Sequence, residues 1–405
     1  MTTCLLLLLS LILLSLLLLG QFNHKKLFLF GVCYYFILPI IVGENKEIFN
    51  IIYFEHWFET FELVNINEKL FIIFYSIILF LAYLLGCKIS QIIGYKNNSF
   101  ITANALINKK GHGLGQTSSL LISILIFFIC IPIWIHSSHF FFQGYSVGYD
   151  SSIMGKMVTL NLLLTTFVFC IKKSVSLNIK IFSFGLVITN SLLLLSMGGR
   201  MYVLIFLIFM ISWFYDSRKI PNKIIIAFII ASFLLITVGV IRSHSVSINL
   251  FSYIALAEPV FTSFSLFSFL THDNNFHYFN FPTNFLNAFL LILPNFLDYK
   301  KSLMINMEDL GFVFYAPLGA TSLIVSLIGN FGTIGGVFFI LLMSTLIETI
   351  RYSQNVVLRV FYTMLCSVIP FMLFRDSFGI VIKVSIFTGL ILPSIFMLIA
   401  RILKH

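Results

Sequence analysis

Hydrophobic stretches of about 17 to 22 residues recur along the chain, each followed by a short polar or charged segment. A helix of that length, rising 1.5 Å per residue, crosses a hydrocarbon layer about 30 Å thick. The stretches lack the polar–apolar alternation of membrane β-strands; residues 224–241 are apolar around the whole helix. The pattern predicts an all-α polytopic membrane protein with about eleven transmembrane helices. The predicted spans are residues 4–20, 27–43, 70–87, 118–136, 157–171, 181–197, 201–215, 223–241, 331–349, 356–374 and 380–400.

The first of these runs, residues 4–20, has the length of either a secretory signal or a membrane span. No basic residue precedes it, and no cleavage site of the A-x-A type follows the leucines. We therefore expect a membrane span here.

One long segment, residues 242–330, interrupts the regular spacing of the spans. It contains two apolar stretches, residues 251–270 and 285–297, and neither predicts a full span. The Glu258-Pro259 pair is expected to break the first stretch, and Pro294-Asn295 is expected to end the second. The sequence therefore predicts a large extramembrane segment that carries interfacial or re-entrant helices.

Basic residues are concentrated in alternate loops, which predicts the orientation because short cytoplasmic loops collect Lys and Arg. With the N-terminus outside, nearly all the basic residues are cytoplasmic, and only Asp216 and Glu348 oppose them. The opposite side, which includes residues 242–330, then holds nearly all the acidic residues. The sequence predicts one transmembrane domain over residues 1–405, with an outside N-terminus and a cytoplasmic C-terminus.

The composition indicates a membrane domain and argues against a nucleic-acid partner. Hydrophobic residues make up 59% of the chain and charged residues 10%, and the formal net charge is +10. A water-facing surface cannot be built from so few charges. Topology accounts for the excess of basic residues, so a nucleic-acid-binding face is not required. We expect membrane lipid, and no nucleic acid, among the partners.

The sequence lacks the motifs of several common chemistries. It has no phosphate-binding loop, no dinucleotide-binding glycine pattern, no H-E-x-x-H and no G-x-S-x-G. The six cysteines show no C-x-x-C spacing and no cluster in a loop, so we interpret them as small apolar residues. We expect neither a cofactor nor a metal ion.

Three arginines lie near the outer ends of predicted spans, where the orientation disfavours basic residues: Arg200, Arg242 and Arg375. A guanidinium group presents a fixed fork of donors that matches phosphate oxygens. We therefore interpret the three as candidate phosphate-binding residues. The alternative is that each anchors its helix at the membrane interface, or pairs with Asp376 or Glu258.

Candidate proton acceptors occur in the long extramembrane segment. His272, Asp273 and His244 are the candidates, since imidazole and carboxylate groups can accept a proton from a reacting hydroxyl. The alternative is that they are exposed loop residues without a catalytic role. Their spacing does not form a recognisable metal site.

Several motifs occur in a fixed order over roughly residues 190–380. Ser196 to Arg200 reads SMGGR, and Arg242-Ser243-His244 opens the long segment. Gly311 to Ile324 then reads GFVFYAPLGATSLI, and Asn330 to Gly336 reads NFGTIGG before a span. In pattern and order, this part of the chain resembles the Wzy-type O-antigen polymerases.

The resemblance implies a glycosyltransferase of GT-C-like architecture, working in lipopolysaccharide biosynthesis at the periplasmic face of the bacterial inner membrane. Such an enzyme joins undecaprenyl-pyrophosphate-linked oligosaccharide repeat units into long O-antigen or capsule-like polysaccharide. It implies pyrophosphate binding by Arg200 and Arg242 most directly, and by Arg375 less directly. It also implies a chain-length regulator and a flippase as further partners.

Two other functions fit the same sequence. An O-antigen ligase or a related polytopic glycosyltransferase would share the topology and the outer arginines. A polysaccharide flippase or other transporter more often has two repeat-related halves and polar residues near the membrane midplane. In this sequence the charges lie near the ends of the predicted spans, which favours a glycosyltransferase.

Overall fold

The computed structural model of the chain describes residues 21–47, 49, 54–96, 113–142, 151–242, 248–272, 274, 276–292, 305 and 307–403. Within these residues the protein is helical, and no strand is formed. The helices, numbered α1 to α14 in chain order, are His24–Glu44, Glu55–Leu63, Ile66–Lys96, Gln116–Ser137, Ser151–Cys170, Leu177–Ser196, Arg200–Tyr215, Asn222–Arg242, Ile248–Thr271, Thr283–Ile292, Leu323–Arg351, Val356–Val368, Met372–Arg375 and Phe378–Ile402.

Nine helices in the described part of the chain are long and apolar enough to cross a membrane: α1, α3, α4, α5, α6, α8, α9, α11 and α14. The prediction of an all-α polytopic membrane protein is confirmed. All of these except α9 coincide with predicted spans. The predicted spans 201–215 and 356–374 correspond to shorter apolar helices, α7 and α12. The predicted span 4–20 lies outside the described residues.

Residues 251–270 form a longer and more buried element than expected. They make up most of α9, a helix of 24 residues that continues through Pro259. Proline cannot donate to the carbonyl four residues earlier, which here belongs to Ala255. The Tyr34 hydroxyl of α1 donates to that carbonyl at 3.2 Å, so the Ala255 carbonyl keeps a hydrogen bond and the helix continues past Pro259. Most of α9 is buried inside the bundle, unlike a helix lying on the membrane surface.

The second apolar stretch, residues 285–297, is described only in part. Its first residues belong to α10, which is short, and residues 293–297 lie outside the described residues. The Phe285 ring packs against Phe331 and Phe339 of α11 and Phe378 of α14, with ring centroids 5.1 to 5.4 Å apart. These aromatic contacts join α10 to the bundle.

Helices α3 and α11 form an extended pair in the bundle. Small polar residues join them: the Ser90 and Thr349 hydroxyls lie 2.8 Å apart, and the Thr345 hydroxyl donates to the Gly86 carbonyl at 3.1 Å. Hydrogen bonds between small residues are typical of helix pairs in membranes, where apolar burial alone does not favour association.

Two helices are irregular inside the bundle. In α11, Gly332 takes φ 80°, a conformation that favours glycine. Because of this break, the N–H groups of Thr333 and Ile334 donate outside the helix, to the His277 and Tyr278 carbonyls at 2.9 and 3.0 Å. A π-helical turn, Cys33–Ile37, lies within α1, and π-helical turns often occur at functional sites.

Candidate functional site

A tight turn fixes Arg200 as the first residue of α7. Gly198 in this turn takes φ 95°, which favours glycine, and the Gly199 N–H donates to the Leu194 carbonyl at 2.9 Å. The turn closes the end of α6 and starts α7 at Arg200. The SMGGR motif therefore positions one guanidinium group.

Arg375 lies at the end of α13, close to Arg200. Its Nε is 2.6 Å from a Glu258 carboxylate oxygen, and its Nη1 is 3.2 Å from Oδ1 of Asp376. The same Nη1 lies 3.8 Å from the sulfur of Met201, the residue after Arg200. The first turn of α7, which carries Arg200, therefore lies beside Arg375 and its two carboxylates.

Two tyrosines from the π-helical turn of α1 complete this site. Tyr34, which donates to the Ala255 carbonyl, lies near Arg200 and Glu258. Tyr35 lies near Glu258, Arg375 and Asp376. We call this group the Arg375 cluster; its members are Tyr34, Tyr35, Arg200, Glu258, Arg375 and Asp376.

The Arg375 cluster lies part-way along the bundle. Tyr34 is ten positions after His24, about 15 Å along α1, which has 21 residues. The Phe374 ring packs on Phe28 and Tyr35 of the same helix, with centroids 5.2 and 5.9 Å apart. The cluster is therefore level with the middle of α1, deeper than the span ends at which the sequence placed the arginines.

Asp376 has one carboxylate oxygen bound and, within the described residues, the other unpaired. Its side chain is 6% exposed, and Oδ1 accepts a hydrogen bond from Arg375. Oδ2 is buried and has no hydrogen-bond partner among the described residues. Asp376 therefore has one carboxylate oxygen left to bind a further polar group.

The third predicted arginine, Arg242, is the last residue of α8, and its side chain lies outside the described residues. Gly239, three positions earlier, contacts Arg200: a Cβ at Gly239 would lie 2.7 Å from Arg200 Nη1. The guanidinium group of Arg200 therefore lies against the final turns of α8.

The predicted proton acceptors do not join the described cluster. His272 is exposed at the end of α9, with Nδ1 2.6 Å from the Ser268 carbonyl oxygen. Fourteen residues separate it from Glu258 on one continuous helix, a rise of about 21 Å. Asp273 and His244 lie outside the described residues. A catalytic role for His272 would require a site distinct from the Arg375 cluster.

A second charged group joins five segments near the start of α1. His24 Nε2 is 2.5 Å from a Glu348 carboxylate oxygen, and Nδ1 is 2.7 Å from the Tyr83 hydroxyl. Gln91 donates to the other Glu348 oxygen at 2.7 Å. His24 and Glu348 are both fully buried.

Arg351 extends this group to the end of α7 and to α12. It forms a bidentate pair with Asp216, with two N–O distances of 3.0 Å, and lies 3.3 Å from Glu348. The Tyr362 hydroxyl donates to Asp216 at 3.0 Å. Both acids that the sequence placed among the cytoplasmic basic residues are thus bound to Arg351. We call this group the Glu348 network; its members are His24, Lys25, Tyr83, Gln91, Asp216, Glu348, Arg351 and Tyr362.

Ligand atoms of His24, Cys87 and Glu348 lie within 4.8 Å of one another, close enough to hold a metal ion. Both His24 nitrogens are already engaged, however. Lys25 and Arg351 also lie 3.6 and 3.3 Å from the Glu348 oxygens, and their charges would repel a divalent cation. The geometry favours an ion-pair network over a metal site.

The two tyrosines of α1 and the His24–Glu348 pair were not predicted from the sequence as site residues. An acidic residue inside a predicted span, as Glu348 is, was the available signal, because such residues are rare and are paired or functional. The adjacent Tyr34 and Tyr35 in an apolar span offered a weaker signal.

The fold and these two groups define a polytopic helical membrane protein with a charged site inside its bundle. No protein family, no curated protein and no solved structure matches the chain. Function is therefore inferred from the residues and their geometry.

Proposed function

We propose that the chain is a glycosyltransferase of the O-antigen polymerase type. It would join polyprenyl-pyrophosphate-linked oligosaccharide units into long polysaccharide at the periplasmic face of the bacterial inner membrane. The observation that carries this proposal is the Arg375 cluster, in which two arginines and two carboxylates meet inside a helical membrane bundle.

The cluster has groups suited to both halves of a glycosyl transfer. When a sugar leaves its carrier, negative charge develops on the pyrophosphate, and preorganised cations stabilise it. Arg200 is suited to this role because it forms no salt bridge within the described part of the chain. Arg375 is held by Glu258 and Asp376 and would add a second, oriented charge. Arg242 follows the α8 turn against which Arg200 packs, so it is a third candidate.

The substrate also explains a site within the membrane region. A pyrophosphate on a long isoprenoid chain cannot leave the bilayer without exposing many methylene groups, each costing about 0.8 kcal/mol. A site level with the middle of α1 would receive such a head group while the tail remains in lipid. This placement supports a lipid-linked substrate.

A transporter of lipid-linked oligosaccharides is the second candidate function. The depth of the Arg375 cluster and the break of α11 at Gly332 favour it, because transporters often bind substrate near the midplane beside discontinuous helices. In that case the Glu348 network would close one end of the pathway. An O-antigen ligase would use the chemistry of the polymerase with a different acceptor.

A deletion strain separates the three functions by the products that it accumulates. Loss of the polymerase should abolish long glycan and leave a single repeat unit on the lipid A core. Loss of a ligase should leave long chains on the carrier, with no glycan on the core. Loss of a flippase should leave single carrier-linked units at the cytoplasmic face. Unchanged glycan in the deletion strain would contradict all three.

The proposal includes a bacterial inner-membrane location, an outside N-terminus and a cytoplasmic C-terminus, with a flippase and a chain-length regulator as partners. Reporter fusions test the orientation. A reporter fused after Lys110 should be active in the cytoplasm, because this predicted loop is rich in basic residues. A periplasmic signal at that position would reverse the orientation.

A further inference from the structure

Two buried polar atoms without partners lie beside Arg375. They are the Tyr35 hydroxyl and Oδ2 of Asp376, two of the seven such side-chain atoms in the described residues. Tyr35 lies near Asp376, and Asp376 is bound to Arg375. Unpaired buried polar atoms are costly, so their convergence indicates a place where a polar ligand group binds.

The carboxylates of Glu258 and Asp376 differ in exposure and in which of their oxygen atoms are bound. Glu258 is one-third exposed, and its Oε2 is bound to the Nε of Arg375. Asp376 is nearly buried, and only its Oδ1 is bound, so Oδ2 has a lone pair available inside the site. Glu258 is therefore suited to orienting Arg375, and Asp376 to receiving a proton.

We propose that Asp376 is the general base of the transfer, an inference that rests on the proposed function. The acceptor hydroxyl oxygen bonds to the anomeric carbon of the donor sugar, and its proton passes to Oδ2 of Asp376. The bond between that carbon and the pyrophosphate oxygen breaks, and its electron pair leaves on the carrier pyrophosphate beside Arg200. Tyr35 orients the acceptor through its free hydroxyl.

The surroundings of Asp376 give this role a pH signature. Arg375 on its own segment, Glu258 on α9 and Tyr35 on α1 face the carboxyl group. A base must be ionised to act, so the rate should fall as the pH falls through the pKa of this carboxyl group and level off above it. Replacing Glu258 by Gln removes a like charge and leaves Arg375 to Asp376 alone, and both changes lower this pKa.

The test uses the purified full-length chain in lipid nanodiscs, with carrier-linked repeat units extracted from the deletion strain as substrate. Asp376→Asn should lower kcat by about 100-fold or more, with little change in KM, and its residual rate should not depend on pH in the acid range. Asp376→Glu should restore part of the rate. Glu59→Gln, which replaces an exposed acid of α2, is the control and should behave as the parent.

A second measurement does not depend on how well the Asp376 variants fold. The acid limb of the rate profile should move to lower pH in Glu258→Gln. An Asp376→Asn protein with parental kcat, or an acid limb that stays in place in Glu258→Gln, would overturn the assignment of the base. If the assignment of Asp376 as the base fails in this way but Arg200→Ala is inactive, the proposed function still stands. A parent protein that elongates no glycan overturns both.

Discussion

The Glu348 network and the Arg375 cluster contain the same kinds of side chain, but they differ in how many of their charged atoms have a hydrogen-bond or salt-bridge partner. In the network, both His24 nitrogens and both Glu348 oxygens are bonded, and Arg351 is bonded to two carboxylates. In the cluster, Arg200 forms no salt bridge within the described residues, and Asp376 keeps one oxygen unpaired. Satisfied buried charges stabilise one arrangement of helices, whereas unsatisfied ones are available to a ligand.

The contrast extends to what each group connects. The network joins the start of α1 to the ends of α7 and α11, and the chain before α1 is pinned to the same place: Phe22 exchanges backbone hydrogen bonds of 2.9 Å with Ser217 and Arg218. The cluster instead collects residues from a π-helical turn, a glycine turn and a short helix. Most residues of the network belong to regular helices, whereas Tyr34, Tyr35, Arg200 and Arg375 of the cluster lie at helix irregularities or short helices.

The largest expected effect is on folding, from Glu348→Ala. Its removal leaves His24 and Lys25 without an acidic partner among the described residues and leaves Arg351 with Asp216 alone. Breaking a buried ion pair in this way costs about 3 to 5 kcal/mol, so the variant should melt well below the parent in detergent and accumulate poorly. Glu59→Ala is the matched control and should melt like the parent, since its pair with His56 is exposed. If Glu348→Ala melted at the same temperature as the parent, the network would not have the structural role assigned to it.

Next in size is the effect of Arg200→Ala on activity. Losing a charge-assisted contact to pyrophosphate should lower the rate by about 100-fold or more, while the amount of inserted protein remains normal. Arg200→Lys should recover only part of the rate, because an ammonium group keeps the charge without the planar fork. Arg401→Ala, at an exposed site near the end of α14, serves as the control. Normal glycan length in Arg200→Ala would show that Arg200 does not bind pyrophosphate and would favour the alternative that it anchors its helix at the membrane interface.

A smaller effect is expected from Gly239→Ala, which disturbs Arg200 without replacing it. The new Cβ would lie 2.7 Å from Arg200 Nη1 and would push the guanidinium group aside. A displacement that costs the transition state about 1 kcal/mol lowers the rate about fivefold. Gly185→Ala is the matched change in a helix, because a Cβ there meets nothing within 4 Å, and its rate should be parental. Equal rates for the two variants would show that Arg200 need not lie against α8.

The smallest effect concerns the hydroxyl that compensates for Pro259. Tyr34→Phe leaves the Ala255 carbonyl unbonded and should cost about 1 kcal/mol of stability. In a Pro259→Ala background the helix supplies its own donor to that carbonyl, so the same change should cost less. A thermal double-mutant cycle measures the difference, and a cost that is equal in both backgrounds would contradict this pairing.

The helical spans were predictable from the sequence because an apolar run of sufficient length has few alternatives in a membrane. Residues 251–270 were harder to predict, since Pro259 indicates a helix break and its compensation comes from Tyr34, far away in the chain. The candidate site was predictable only in part. Arg200 and Arg375 stood out as basic residues on the acidic side, whereas their closeness to each other depends on how α7 and α13 pack. His272 was a plausible base by residue type, but the length of α9 places it far from Glu258.

We propose that the Arg375 cluster acts on substrate and that the Glu348 network maintains the fold. Glycan length per molecule of folded protein separates the two roles, with Arg200→Ala and Glu348→Gln compared in the deletion strain. We expect a normal amount of Arg200→Ala protein with no long glycan, and a reduced amount of Glu348→Gln protein that still makes long glycan per molecule. A normal amount of Glu348→Gln protein that makes no long glycan, together with full activity of Arg200→Ala, would contradict this proposal.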